Sequence, residues 1–409
     1  LLLEGQLTPL REDESRVPMI PRVHLKKNED RRLRIGHPWV YSNEIEKYDA
    51  GTGDGDIVDV YSHGGTFVGR GYINRKSLIS VRILTREPEE IGREFFLARI
   101  GRALEHRSVL GRGRDALRLV FSEGDFLPGL VVDRYMDKVV VQTTTLGVER
   151  RLDVVLEVIE ELIGPAAVIL RNDGPARLQE GLPLEKRVDR GAYLGPLVLR
   201  DMSMVAVADL MDGQKTGLYL DQSENRSVLE EVVASKRVLD CFCYCGSWGI
   251  DAARTGAAEV VLVESSPHAV ETAKHAAWLN GVSHKCSFVQ EDCFSYLPAL
   301  VKAGDKFGVV VVDPPGLVKS RSKMRAGLEL YEKLNADAMR IVEPGGVLVT
   351  CSCSHNVDRE TFFNLLARAA RMARRDTQTM DVRSQGRDHP ILMPGRVTEY
   401  LKCVVLRVW

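Results

Sequence analysis

Two thiols and a carboxylate at neighbouring strand ends are the residues of this chain with the most chemistry to offer. In Thr350-Cys-Ser-Cys-Ser354 the apolar run Val347–Val349 ends in Cys351 and Cys353. Residues two apart on a strand face the same side, so both thiols should point one way. A second apolar run ends in Asp313-Pro-Pro315. Two prolines cannot continue a strand, so Asp313 should be presented at a strand end rather than packed away. A thiolate within reach of a carboxylate and an electrophilic methyl group suits one reaction well. Carbon 5 of a pyrimidine is a poor nucleophile until a thiolate adds to carbon 6 and makes it enamine-like. Methyl transfer and loss of the carbon-5 proton then release the sulfur. The plainer reading is that cysteine is a common small core residue, inert when buried.

The methyl donor needs its own site. The run Arg237–Asp240 leads through Cys241-Phe-Cys-Tyr-Cys-Gly-Ser-Trp-Gly249 into a helical stretch, and the next apolar run ends in Glu264. Ligands of doubly wound sheets bind beyond the carboxyl ends of the strands. Gly246 and Gly249 would let a ligand approach the backbone, and Glu264 is placed to bind a ribose diol. The Gly-x-Gly-x-x-Gly phosphate loop is absent, and Asp240 stands where it would repel a pyrophosphate but welcome a cationic amino group. That combination favours S-adenosylmethionine over a dinucleotide. Asp292, after a third run, could bond the adenine amine. A metal is disfavoured, because Cys-x-Cys at strand ends is not the Cys-x₂-Cys loop spacing of zinc and iron–sulfur sites.

These residues need a sheet to bring them together. From Lys236 onward, the runs VLDCF, VVLVE, CSFVQ, GVVVVD and VLVTC alternate with helix-length segments, which predicts a parallel sheet covered on both faces. Before it, short strands with turns at roughly ten-residue spacing over 21–90 predict a small antiparallel β-barrel. Between the two, residues 91–115 have helical periodicity. Two apolar strands (LRLVFSE and GLVVDRYMDKVVVQTT), a helix at about 149–163 and a strand at 166–171 follow. Four segments result: an aperiodic mobile arm (1–20), a β-barrel (21–90), a small central α/β unit (91–205) and the sheet-bearing domain (206–409).

With 28% charged residues but a net charge of −1, the chain is not uniformly basic. Two local basic runs stand out: Arg22, Lys26, Lys27, Arg31, Arg32 and Arg34, ahead of Trp39 and Tyr41, and a second from Arg93 to Arg118. Basic residues beside aromatics suit RNA backbone contacts and base stacking. All eight cysteines lie at or beyond position 241, a distribution unlike a secreted disulfide framework and suited to reduced thiols in the cytoplasm. No membrane span and no signal peptide is expected.

Taken in order, Arg32-Leu-Arg-Ile-Gly-His-Pro-Trp-Val-Tyr41, Gln214-Lys-Thr-Gly-Leu-Tyr-Leu-Asp-Gln-Ser-Glu-Asn-Arg226, Asp240–Gly246, Asp313-Pro-Pro315 and Thr350–Ser354 resemble the PUA-domain SAM-dependent methyltransferases of the ribosomal large-subunit methyltransferase I type. The resemblance runs from about Arg22 to the C-terminus. It implies a class I, Rossmann-like methyltransferase domain behind a PUA barrel, making 5-methylcytosine in 23S rRNA on a protein-poor or unfolded form of that RNA. Position by position, it implies Cys353 as the nucleophile and Cys351 as its strand neighbour. Asp313 would hold the cytosine's amino edge or move its protons beside the cofactor. Asp240, Gly246, Glu264 and Asp292 fall on cofactor-contacting positions. Segment 214–226 is similar to the family's hairpin before the methyltransferase fold, where Asp221, Gln222 and Arg226 would touch cofactor or RNA. Gly316 departs from the larger residue common in relatives, and the fourth-strand motif lacks the second cysteine of many RNA cytosine methyltransferases. Two other readings stay open: methylation of a purine without a thiol, and a non-catalytic RNA-binding assembly factor. A homodimer is also open.

Overall fold

The alternation of β-branched and small residues in the last third of the chain builds one seven-stranded sheet. The computed structural model describes residues 20–110 and 114–409. The expected N-terminal arm therefore lies, except for Ile20, outside the described residues. The chain divides into two compact units, one ending at Glu90 and one starting at Ile91.

In the first unit, β1 (Arg22–Leu25), β2 (Trp39–Tyr41), β3 (Ile45–Tyr48), β4 (Ile57–Tyr61), β5 (Phe67–Ile73) and β6 (Ile79–Thr85) form one sheet in the order β2-β6-β5-β4-β1-β3. The order does not close on itself, so the expected barrel is a half-barrel. Its pairs are antiparallel except β1 with β4. Val23, Leu25, Leu33, Val40, Val58, Val60, Ile73 and Val81 fill its core. Arg22 lies 5.3 Å from the Tyr61 ring centre and Arg32 lies 5.1 Å from that of Tyr41. Arg32 also pairs with Glu44, and Arg34 with Asp30.

The second unit opens with the helix Arg93–Ser108. A five-stranded sheet follows in the order β11-β10-β9-β8-β7, built from β7 (Ala116–Phe121), β8 (Leu130–Tyr135), β9 (Lys138–Thr143), β10 (Ala167–Asn172) and β11 (Glu185–Gly191), with the helix Leu152–Ile163 between β9 and β10. The stretch 129–144, expected as one strand, is a hairpin that turns at Met136, whose φ is +57°. A second hairpin, β12 (Leu197–Asp201) with β13 (Met204–Ala208), contains the boundary expected at 205/206. That boundary cannot divide the fold: Ala116, Tyr135, Val140 and Ile169 share one core with residues of the last sheet.

That last sheet comprises β14 (Arg237–Cys241), β15 (Glu259–Glu264), β16 (Cys286–Gln290), β17 (Phe307–Val312), β18 (Val342–Ser352), β19 (Thr377–Arg383) and β20 (Lys402–Val408), ordered β16-β15-β14-β17-β18-β20-β19. Strands β14 to β18 run parallel, and β20 lies antiparallel between β18 and β19. Both faces are covered. On β18, Val347, Val349 and Cys351 enter one core while Leu348 enters the other. This is the doubly wound arrangement expected, with a reversed strand that the sequence reading did not anticipate. Residues Glu343–Gly346 form a bulge inside β18 where Gly345 has φ +77°.

Candidate active site

Strand order places the ends of β14, β15, β17 and β18 around one cavity of about 350 Å³. Asp313, Cys353, Glu264, Asp221, Gln222 and Arg226 all line it. The same wall holds Lys215, Tyr219, Phe242, Tyr244, Trp248 and Ser265, which the motifs leave without a role.

The serines around the thiol explain why Cys353 faces this space. Thr350 Oγ1 donates to Asn335 Oδ1 (2.6 Å), and Ser352 Oγ donates to the Tyr331 hydroxyl (3.1 Å). Ser354 Oγ lies 3.1 Å from that hydroxyl and accepts from Val318 N (3.1 Å). Positions 350, 352 and 354 thus grip the helix Met324–Ile341 and its approach, leaving 351 and 353 to face the other side. Cys351 is fully buried in the core and is paired in register with Cys403. Cys353, just past the strand end, is half-buried against the cavity. A Cβ built on Gly316 would lie 3.7 Å from its sulfur, so glycine there leaves the space over the thiol open. Burial pushes the Cys353 thiol up, as do the charges of Asp313 and Asp221, against the opposing pull of Lys215 and Lys402.

Asp313 Oδ2 accepts from Gln222 Nε2 at 2.9 Å, and the Gln222 carbonyl is held by Asn225 at 2.7 Å. Burial first, and then the charge of Asp221, push the Asp313 carboxyl up to about 6. Asp221 is itself buried. Burial opposes its charge, but Lys215, His389 and the Tyr400 hydroxyl outweigh that and hold it well below the usual carboxylate range. Lys215 Nζ sits 2.9 Å from Asp221 Oδ2 and 4.2 Å from the Tyr219 ring centre.

Segment 214–226 is no hairpin; it is a chain of turns that the central sheet anchors. Thr216 Oγ1 donates to Asp133 Oδ2 (2.6 Å), and Leu218 N donates to the Tyr135 hydroxyl (3.1 Å), both partners lying on β8. Arg226 lines the cavity but is buried between Asp201 (2.8 Å) and Asp251 (3.0 Å), a structural ion pair that occupies its guanidinium. The second basic run has the same fate. Arg107 pairs with Asp125, Arg114 approaches Asp201 and Asp388, and Arg118 pairs with Asp133. These three guanidiniums are taken up by carboxylates and are not free for RNA, while Arg93 and Arg102 of the same run stay exposed.

The loop after β14 carries positive φ at Phe242 (+60°), Tyr244 (+48°) and Gly246 (+79°). Non-glycine residues seldom adopt that region except where surrounding contacts enforce it. Here Glu264 supplies one such contact, accepting from Tyr244 N at 3.1 Å and from Ser266 N at 2.9 Å. Gly246 and Gly249 do not clear a path for a ligand. A Cβ on Gly246 would meet Ile250 and Leu262 at 3.0 Å, and one on Gly249 would meet Leu262 at 2.7 Å. Both serve helix–sheet packing. Asp240 is fully buried and accepts from Gly249 N at 2.7 Å, and its Oδ1 has no partner. Burial, with added repulsion from Asp313 and Glu264, pushes its carboxyl up to about 8 against the pull of Gly249 N–H. Asp292 lies outside the cavity lining. It is exposed and caps the helix Cys293–Ala303 by accepting from Phe294 N.

The donor set fits a cationic nucleoside: carboxylates at the ends of β14, β15 and β17, an unmatched buried carboxylate oxygen, aromatic walls, and no phosphate loop. Among the described residues no group of three or more His, Cys, Asp or Glu is placed to hold a metal, and no helix is long and apolar enough to cross a membrane.

Comparison with known proteins agrees with this reading. Residues 23–86 match a PUA-like domain, and residues 197–377 match an S-adenosylmethionine-dependent methyltransferase domain. "Ribosomal RNA large subunit methyltransferase I" of Shewanella denitrificans is 37% identical, over 96% of this chain and 100% of its own. The protein of the same name from Aeromonas hydrophila is 36% identical, over 94% and 98%. The crystal structure of SMU.776, complexed with SAH, superposes with a TM-score of 0.83 at 18% identity, covering 95% of this chain and all of that one, which supports the fold. With a PUA-like half-barrel, a class I sheet and relatives matched along nearly their whole length, the chain belongs to the S-adenosylmethionine-dependent ribosomal RNA large subunit methyltransferase I family.

Proposed function

We propose that this protein methylates carbon 5 of a cytosine in 23S rRNA through a covalent adduct between Cys353 and carbon 6. The observation that carries the reading is the convergence of Cys353, the thiol that lines the cavity beyond β18, with Asp313 in the same wall; the other lining thiol, Cys243, lies in the loop after β14 and is pushed well above the ordinary range by burial. The name shared by the relatives supports large-subunit ribosomal RNA as the substrate.

S-adenosylmethionine supplies an electrophilic methyl group. The chain's own residues do the rest. Burial holds the Cys353 thiol above its ordinary range, so a cationic cofactor nearby would favour its ionisation. Cys353 Sγ, having given its proton to solvent, bonds to carbon 6 and pushes electron density to carbon 5, which then takes the methyl group. Asp313, with a carboxyl near 6, can hold the base's amino edge and then, ionised, take the carbon-5 proton. Loss of that proton expels the sulfur and restores the aromatic ring. Glu264, in the cavity wall, contributes negative charge towards the cofactor side and holds the Tyr244 loop, whereas Asp240, buried with its carboxyl raised to about 8, stays largely protonated at neutral pH. Asp221 and Gln222 act on Asp313, Gln222 by its hydrogen bond and Asp221 by its charge. Burial in a folded RNA requires the target base to be single-stranded or flipped out.

The test is mass spectrometry of nucleosides from 23S rRNA incubated with wild type and Cys353→Ala. The variant should bind S-adenosylmethionine within about twofold of wild type, a difference of a few tenths of a kcal/mol, yet form no 5-methylcytosine. Retained methylation, on cytosine or on a purine, would refute the reading.

A further inference from the structure

The reaction just described gives no role to the buried ammonium of Lys402. Lys402, the first residue of β20, is 3% exposed. Its ammonium donates to Ser354 O at 2.8 Å and Tyr400 O at 2.7 Å, two neutral carbonyls. No carboxylate pairs with it among the described residues. A buried ammonium without a counter-charge is costly, and such groups persist where another requirement holds them.

Its position indicates what that requirement is. Lys402 faces Ser352 in the β18–β20 register, and its amine reaches past to the carbonyl of Ser354. It therefore brackets Cys353 from the side of the strand away from the cavity, which it does not line. The other charges around the sulfur leave one carboxylate unmatched. Lys215 is neutralised by Asp221 at 2.9 Å, and Asp313 is bound by the uncharged Gln222. The acids towards Lys402 itself are Glu399, which pairs with Arg359 at 3.0 Å, and Asp358, which caps the helix Arg359–Ala373. The His355 ring, stacked on Tyr400, is held neutral by burial. Burial lowers the Lys402 ammonium to about 8, and Cys353 is the foremost group opposing that shift.

We propose that Lys402 is the positioning residue for the nucleophile: an ammonium fixed behind the strand end that offsets the charge of the Cys353 thiolate and holds the 352–354 turn towards the cavity. This rests on Cys353 being the nucleophile. It adds that the charge needed to ionise the sulfur is built into β20 rather than supplied by the cofactor alone.

The experiment is iodoacetamide alkylation of the intact protein as a function of pH, with Cys353 modification read by peptide mass spectrometry and half-buried Cys286 as the internal control. Lys402→Met should move the Cys353 profile up by about one unit, slowing its alkylation at pH 8 about tenfold, while Cys286 is unaffected and Lys402→Arg stays near wild type. An unchanged Cys353 profile in folded Lys402→Met overturns the proposal. If Lys402→Met does not fold, the reciprocal measurement decides. Coupling between two titrating groups acts on both, so the Lys402 pKa, followed by NMR of 13C-labelled lysine, must fall in Cys353→Ser. No change there overturns the proposal equally. Neither readout needs methyl transfer, so a failure of the cytosine reading, seen as methylation by Cys353→Ala, is separately visible.

Discussion

At the scale of single residues, Cys351 and Cys353 divide the labour that their spacing suggests they share. Both face the same side of β18, as alternation requires, but the strand ends between them. Cys351 stays in the core opposite Cys403, and Cys353 enters the cavity. The choice between them was legible only through the family resemblance, because a strand's end point depends on its partner strand rather than on its own residues. Pairing with β20 stops at Ser352 opposite Lys402. Thiol and carboxyl also predict a pH profile. Cys353 is raised above the ordinary thiol range and Asp313 titrates near 6. Both must be ionised for attack and carbon-5 proton removal. The rate constant kcat/KM for the methyl donor should therefore climb about tenfold per pH unit above 6, where only the thiol is still protonated, and about a hundredfold per unit below 6. Stopped-time methylation assays across pH 5 to 8.5 would check this, and a profile flat from 6 to 8 would contradict it.

At the scale of elements, the parallel sheet was readable from its apolar runs, and the glycine-bearing loop was readable as a ligand-facing turn. The roles of its glycines were not. Gly246 and Gly249 hold the helix Ser247–Arg254 against β15, since a Cβ on either would collide with Leu262. Gly249→Ala should cost about 1–3 kcal/mol, the usual penalty of overpacking a tight core contact, measured as a lowered urea midpoint at unchanged m-value. A stability equal to wild type would show that the helix can shift freely. Segment 214–226 was recognisable by motif but not by form. Its turns depend on Asp133 and Tyr135 of β8, residues roughly eighty positions earlier, as the separations of these hydrogen bonds show. No local pattern announces such an anchor. Tertiary partners likewise took the arginines of 107, 114 and 118 out of a surface charge run and into ion pairs, the partner of Arg114 being as distant as Asp388.

At the scale of the whole molecule, two compact units meet at Glu90 and Ile91 in the chain, as the shift from short strands to a helix suggested. The further division expected at 205/206 does not separate two cores, and no local pattern could have revealed this, because the central sheet and the last sheet pack into one core. On the first unit, Arg22 is exposed over Tyr61, and Lys27 is exposed with no ion pair among the described residues. If this unit holds RNA backbone, replacing both by Ala should weaken RNA binding alike for all sequences and reduce the slope of log K against log salt by about one for each phosphate no longer neutralised. Filter binding from 50 to 200 mM salt would read it, and an unaltered slope would place the RNA elsewhere on the protein. The central claim, a bond between Cys353 and carbon 6 of cytosine, is most directly tested by incubating the protein and S-adenosylmethionine with 23S rRNA fragments carrying 5-fluorocytosine. Fluorine at carbon 5 cannot leave as a proton does, so the adduct should accumulate. Mass spectrometry should then find the methylated nucleotide on the peptide containing Cys353. Methyl transfer to unsubstituted RNA with no trapped species on the fluorinated one, or a trapped species on another cysteine, would contradict the account.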